Sequence, residues 1–380
     1  MFSFEVTQLS RPPSQPNRED ILSQGTAFDR PYEISMFSNA VYYPNWGIYK
    51  DRSPSSLRLG FVSHVIYAFA WVRADGTVYL SDPCADEQIA VDGVQGCLRA
   101  FAQLKQQYPS LKLLLAIGGG GQGSEHFPIV ARDPVAIERF AESARCLADE
   151  FGLDGFDIDW EHPADTQQGE DYVKLLSKMR EQFPSPYYIL SSALPAGEWA
   201  LRNINLSHAQ LYLDMINLMT YDFSGPWVNR SGHQSQLLTP QQPHNEAAWT
   251  SCHSGISYAL EQGVPAKKIL LGIPVYGRAF PGTNGINQPY SLEGGAKAEF
   301  EYKELPRPGT EEQHDFAVWA AYCVDGEAGF VTYDSTTTVR KKARFVSDWK
   351  LGGLFYWHIA ADALGSRSLV ASGYNALHDL

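Results

Sequence analysis

The stretch Asp154-Gly155-Phe156-Asp157-Ile158-Asp159-Trp160-Glu161 decides how this chain reads. Side chains alternate between the two faces of a strand, so Asp157, Asp159 and Glu161 share one face while Phe156, Ile158 and Trp160 share the other. The two-residue step spaces the acids roughly 6.5–7 Å apart, near enough for their titrations to be coupled. Lining up buried like charges costs stability, so folding alone does not ask for them. The apolar face is the one a strand packed under helices needs. The stretch reads as one strand of an α/β fold whose acidic face carries chemistry.

Working outward, short apolar runs recur at 40–43, 64–71, 111–117, 187–194, 215–220, 269–275 and 353–357. Longer helical patterns fall between them, at 86–106, 134–151, 169–183, 247–262 and 336–350. Lys112-Leu113-Leu114-Leu115-Ala116-Ile117 is almost continuously apolar, as strands of buried parallel sheets are. Asp133 before Pro134 suits a helix cap with proline in the first turn. Eight strands with helical crossovers predict a closed (β/α)8 barrel of the TIM type, whose functional residues sit at the C-terminal strand ends. Glu161 lies just past that end of the fourth strand.

Residues 280–334 break the rhythm: they are polar and Gly-rich, with Tyr290, Tyr302, Tyr322 and Tyr333 interspersed. The segment is too long for an ordinary barrel loop and reads as a small α+β insertion between strand 7 and helix 7. The expected organisation is a flexible arm at 1–33, a barrel at 34–279 and 335–380, and the insertion at 280–334.

The chain has 380 residues, 44% hydrophobic and 19% charged, enough for a sizeable core. A net charge of −13 argues against nucleic acid and anionic membranes as partners. Five scattered cysteines, without paired spacing, give no zinc motif, and no cofactor is implied. No basic, apolar leader opens the chain, so the expectation is a cytoplasmic protein, or a secreted one whose leader has been removed. Nine Trp and 20 Tyr are a rich aromatic supply, equally compatible with core packing and with sugar-stacking platforms.

Paired carboxylates at a barrel mouth suit glycosidic cleavage, where one acid protonates the leaving oxygen. Glu161 is the natural donor, and the charge of the deeper acids is expected to raise its pKa. A divalent-metal site is the alternative for clustered carboxylates, but it leaves the aromatics unexplained.

The stretch from Asp154 to Glu161 also resembles the DxxDxDxE signature of glycoside hydrolase family 18, the chitinases, and the C-terminal Gly365-Ser366-Arg367-Ser368-Leu369 is most similar to fungal members. Ala40-Val41-Tyr42-Tyr43-Pro44-Asn45-Trp46 and His64-Val65-Ile66-Tyr67-Ala68-Phe69-Ala70 are similar to the family's first two strands. Asn217-Leu218-Met219-Thr220-Tyr221-Asp222 with Gly225-Pro226-Trp227 resembles the sixth, Gly272 to Phe280 the seventh, and Leu351 to Trp357 the eighth.

The resemblance implies hydrolysis of chitin or chito-oligosaccharides by a monomer, assisted by the substrate's own N-acetyl group through an oxazolinium ion. It implies Glu161 as acid and base, Asp159 as partner of the acetamide N–H, Asp157 sharing a proton with Asp159, and Tyr221 as donor to the acetamide oxygen. Tyr42, Phe69, Met219, Asp222, Trp227, Arg278 and Trp357 would bind the sugars, with Trp46 and Trp71 as further platforms. Two departures stand out: Ala116 replaces the serine of the family's SxGG motif, and His162 follows the acid where Tyr or Phe is commoner. Trp357-His358 is a candidate cis peptide. Rival expectations are an endo-β-N-acetylglucosaminidase acting on N-glycans and a non-catalytic chitin-binding lectin.

Overall fold

The computed structural model describes residues 37–243, 246–292 and 297–380. The arm expected at 1–33 lies outside them. Eight strands form the centre: β1 (Ser38–Pro44), β2 (His64–Val72), β3 (Lys112–Gly118), β4 (Gly155–Asp159), β5 (Ile189–Pro195), β6 (Met215–Met219), β7 (Ile269–Pro274) and β8 (Gly353–Trp357). Each pairs in parallel with its neighbour in sequence. β8 returns to β1, from Ser38↔Gly353 to Val41↔Tyr356, and closes the barrel.

The period-2 alternation sorts these strands into two cores. Val41, Tyr43, Val65, Tyr67, Leu113, Leu115, Phe156 and Ile158 join the cluster between sheet and helices. Ala40, Tyr42, Ile66, Ala68, Leu114, Ala116, Leu270 and Phe355 fill the lumen instead. Full burial of each large side chain contributes about 1.5–3 kcal/mol, so both layers hold the strands in register. Asp157 and Asp159 alternate into the lumen set and are buried there.

The helices begin where their caps stand. In α2 (Pro134–Phe151) the Asp133 carboxylate accepts the Val135 N–H at 2.9 Å, and Gly152 ends the helix at a φ of 62°. Ser251 and Ser335 form capping boxes for α4 (Cys252–Glu261) and α5 (Thr336–Asp348); α1 (Cys97–Gln107) and α3 (Thr166–Gln182) precede them in the chain.

The helix expected over 86–106 is a correction. A π-helical turn, Cys84–Gln88, and the α-helix Cys97–Gln107 stand at its two ends, and between them Ala90–Val91 and Val94–Gln95 form a hairpin instead. Asp92 and Gly93 occupy its turn at φ of 52° and 85°, the left-handed pair that a type I′ turn requires. Gly96 then brings its backbone against Asp86 and Glu87, where a Cβ would collide at 2.2 Å.

After β7 the chain builds a second sheet of five antiparallel strands. Its order is Glu299–Glu301, Tyr276–Phe280, Gly329–Tyr333, Ala320–Asp325 and Gln313–Asp315. A division of the chain at residue 280 therefore falls inside a strand. Tyr276–Phe280, the first of these strands in the chain, follows Pro274 almost directly, so the second sheet rises from the barrel mouth. All five cysteines are free thiols, with Cys84 exposed and Cys97 buried.

Candidate active site

The carboxylates stand at the C-terminal end of β4. Gly118, at a φ of 124°, lets β3 pass so near that a Cβ there would lie 2.1 Å from the Asp159 carbonyl oxygen. Asp157, the deepest acid, is fully buried and held by three donors. Ser191 Oγ donates to Oδ1 at 2.6 Å, Tyr42 to Oδ2 at 2.7 Å, and the Asn217 side-chain amide to Oδ1 at 3.2 Å. Burial pushes the Asp157 carboxyl up to about 6, with these three hydrogen bonds acting the other way. The hydroxyl support that Ala116 does not provide thus comes from Ser191.

Asp159 has no such donors, and its Oδ1 is buried without a hydrogen-bond partner. Burial, followed by the charges of Glu161 and Asp157, raises its pKa well above the usual carboxylate range. Glu161 is pushed up to about 7, first by burial and then by the charge of Asp222. Asp159 and Glu161 thus oppose each other's ionisation, and Asp222 adds to the effect from across the cleft.

The backbone holds Glu161 in place. Its N–H donates to Ser124 Oγ at 2.7 Å, and that hydroxyl donates to the Gly119 carbonyl at 2.9 Å. A Cβ on Gly120 would lie 3.7 Å from both Glu161 carboxyl oxygens, so the loop after β3 meets the acid with bare backbone.

Opposite stands Asp222, at a φ of 59°. It accepts the Tyr276 hydroxyl at 2.7 Å and two Arg278 N–H bonds at 2.9 Å each. Arg278 also reaches Glu299 at 2.9 Å. Tyr276 and Arg278 lie two residues apart on one face of the second sheet's first strand, which is how one element presents both to Asp222.

An aromatic floor lies beside the acids. The Trp357 ring packs edge-on to Tyr42 at 5.5 Å and stacks on Phe69 at 5.6 Å, with Trp46 at 6.2 Å. Ala68–Phe69, Glu161–His162 and Trp357–His358 are cis peptides.

Two cavities meet at Glu161. One of about 320 Å³ is lined by Tyr42, Phe69, Asp159, Glu161, Met219, Tyr221, Asp222, Arg278 and Trp357, together with Trp46 and Trp71. The other, of about 610 Å³, continues from Glu161, Met219, Tyr221 and Asp222 to Trp227, His162 and Trp199. With Asp157 beneath the first, the structure brings every site residue named from the sequence into one cleft. Ser191, Ser124, Tyr276 and Trp199 were missed; only Trp199, two residues after Gly197 at the end of β5, left a local trace. Among the described residues no cluster of His, Cys, Asp and Glu is arranged as metal ligands.

Comparison with known proteins agrees with this geometry. The family model described as Glycosyl hydrolases family 18 matches residues 38–362. "Chitinase 1" of Aphanocladium album is 34% identical over 90% of this chain and 86% of its own length. "Endochitinase 1" of Metarhizium robertsii is 34% identical over 90% and 85%. Among solved structures, an Ostrinia furnacalis Group IV chitinase in complex with allosamidin superposes with a TM-score of 0.81 at 25% identity, covering 90% of this chain and 98% of that one.

Proposed function

The chain belongs to family 18 of the glycosyl hydrolases, and from that premise we propose that it is a chitinase cleaving β-1,4-linked N-acetylglucosamine polymers or oligomers with retention. The observation that carries this reading is the adjacent pair Asp159 and Glu161, both raised in pKa, set beside the Trp357 floor. Glu161 donates its proton to the glycosidic oxygen as the bond from that oxygen to the anomeric carbon breaks. The acetamide oxygen of the same sugar forms the new bond to that carbon, giving an oxazolinium ion.

The unpartnered Asp159 Oδ1 is the group available to the acetamide N–H, and the Tyr221 hydroxyl is the donor for its oxygen. Water then attacks the anomeric carbon and gives its proton to the Glu161 carboxylate, the oxazolinium carbon–oxygen bond opens, and the configuration is retained. Asp222 and Arg278 bind the sugars at the cleavage point, and Trp357 offers a flat face for a pyranose ring. The allosamidin bound by the Ostrinia relative supports a cleft of this kind.

The test is product release from N-acetylglucosamine oligomers and colloidal chitin, with Glu161→Gln beside the wild type. Loss of most turnover with retained sugar binding is expected, about 10²–10⁴-fold for a general acid. A mutant as active as wild type would sink the assignment. A wild type active only on N-glycans would make it an endo-β-N-acetylglucosaminidase, and one that binds oligomers without cutting them a lectin.

A further inference from the structure

Two consecutive strand ends repeat one device. Gly197-Glu198-Trp199 follows β5, and Gly225-Pro226-Trp227 follows β6. In both, the indole lies against the glycine two residues before it. A Cβ on Gly197 would sit 2.3 Å from Trp199 Nε1, and one on Gly225 would sit 2.5 Å from Trp227 Cη2. Neither glycine takes a left-handed backbone, so what needs the missing side chain is the indole. Each tryptophan is braced on one side and open on the other, with 64% of Trp199 and 57% of Trp227 exposed.

These open sides border the same 610 Å³ cavity, which begins at Glu161 and does not include Trp357. Trp227 sits nearer the reaction: the Arg278 guanidinium, bound to Asp222, lies 5.2 Å from its ring. Trp199 touches the acid only through His162, the residue after Glu161, whose ring meets it edge-on at 5.7 Å. The loop after β3 faces the Glu161 carboxyl with the Gly120 backbone and has no aromatic residue over 119–125, so stacking surface on this side comes from the two tryptophans.

Resting on the reading of Glu161 as proton donor, we propose that Trp199 is a second sugar platform on the leaving-group side, gripping the N-acetylglucosamine unit beyond the one held by Trp227. His162 acts as the spacer that fixes the Trp199 ring at this distance from the acid. The enzyme then favours cuts that leave at least two sugars on the departing chain.

The experiment compares Trp199→Ala and Trp199→Phe with wild type on two substrates. Chito-hexaose can place several sugars beyond the cut, whereas an aryl chitobioside places a single aryl ring there. The ratio of kcat/KM on hexaose to that on the aryl substrate should fall about tenfold in Trp199→Ala, mostly through KM, and recover in Trp199→Phe. Hexaose products should shift toward monosaccharide release from the leaving end. An unchanged ratio, whether both rates hold or both fall together, overturns the proposal. A wild type that cleaves neither substrate overturns the hydrolase reading and this proposal with it.

Discussion

Tyr42 donates its hydroxyl to Asp157 at 2.7 Å, joining β1 to β4 across the barrel lumen. Ser191 from β5 and Asn217 from β6 complete the grip, so the deepest acid is fixed by three other strands. It is a joint of the barrel as well as part of the site.

Ser191→Ala should therefore destabilise the fold. It leaves Asp157 Oδ1 buried with only the 3.2 Å Asn217 bond, a deficit of about 1–3 kcal/mol for a buried acceptor. Urea denaturation would register it, and a variant as stable as wild type would show that the hydroxyl is dispensable.

The pH–rate profile should lose activity as pH rises through about 7, because Glu161 must carry a proton to donate it. Asp222 raises the Glu161 pKa, so Asp222→Asn should move this basic limb to lower pH. The check is kcat/KM against pH for both proteins; a limb that stays in place refutes the coupling.

Stability should carry the opposite side of that bargain. The folded pKa of Glu161, about 7, lies above its ordinary 4.5, so the native state holds a proton that the unfolded chain releases. That contribution is present below pH 4.5 and is lost as pH rises to about 7. Glu161→Gln should be inactive yet more stable than wild type at pH 8, by up to about 3 kcal/mol, and no more stable at pH 4. Melting curves at the two pH values test it.

Lys342 and Asp334 form a fully buried ion pair at 2.6 Å, and Lys342 also donates to Ser235 Oγ at 2.7 Å. Ser235 in turn donates to the Thr220 carbonyl at 2.8 Å, one residue before Tyr221. Lys342→Met strands the Asp334 charge and should cost about 3–5 kcal/mol, whereas a double replacement with Asp334→Leu should recover part of it. Chemical denaturation of the single and double variants gives the answer.

The strands and their order were legible because buried parallel strands write themselves as unbroken apolar runs; 353–357 coincides with β8 and 134–151 with α2. The acid array was legible because a two-residue period survives any tertiary detail. Ser191 was not, because nothing local separates it from Ser192. Register alone does so: Ser191 lies opposite Asp157 and donates inward, while Ser192 receives the Tyr172 hydroxyl at 2.7 Å on the helix side. Tyr276 was hidden likewise, since its partner Asp222 lies 54 residues away in sequence. The hairpin at Asp92-Gly93 did have a signal, which the apolar spacing around it masked.

The second sheet enters through Tyr276 and Arg278, both clasping Asp222, and leaves through Asp334, bound into the Ser235–Thr220 support. Both junctions are fastened to the end of β6 that bears Tyr221. An evolutionary or engineered excision rejoining the barrel behind residue 275 would thus disarm the catalytic mouth even if all eight strands still closed. The barrel and its second sheet therefore work as a single part, and any exchange of the sheet has to carry over the seam along with it.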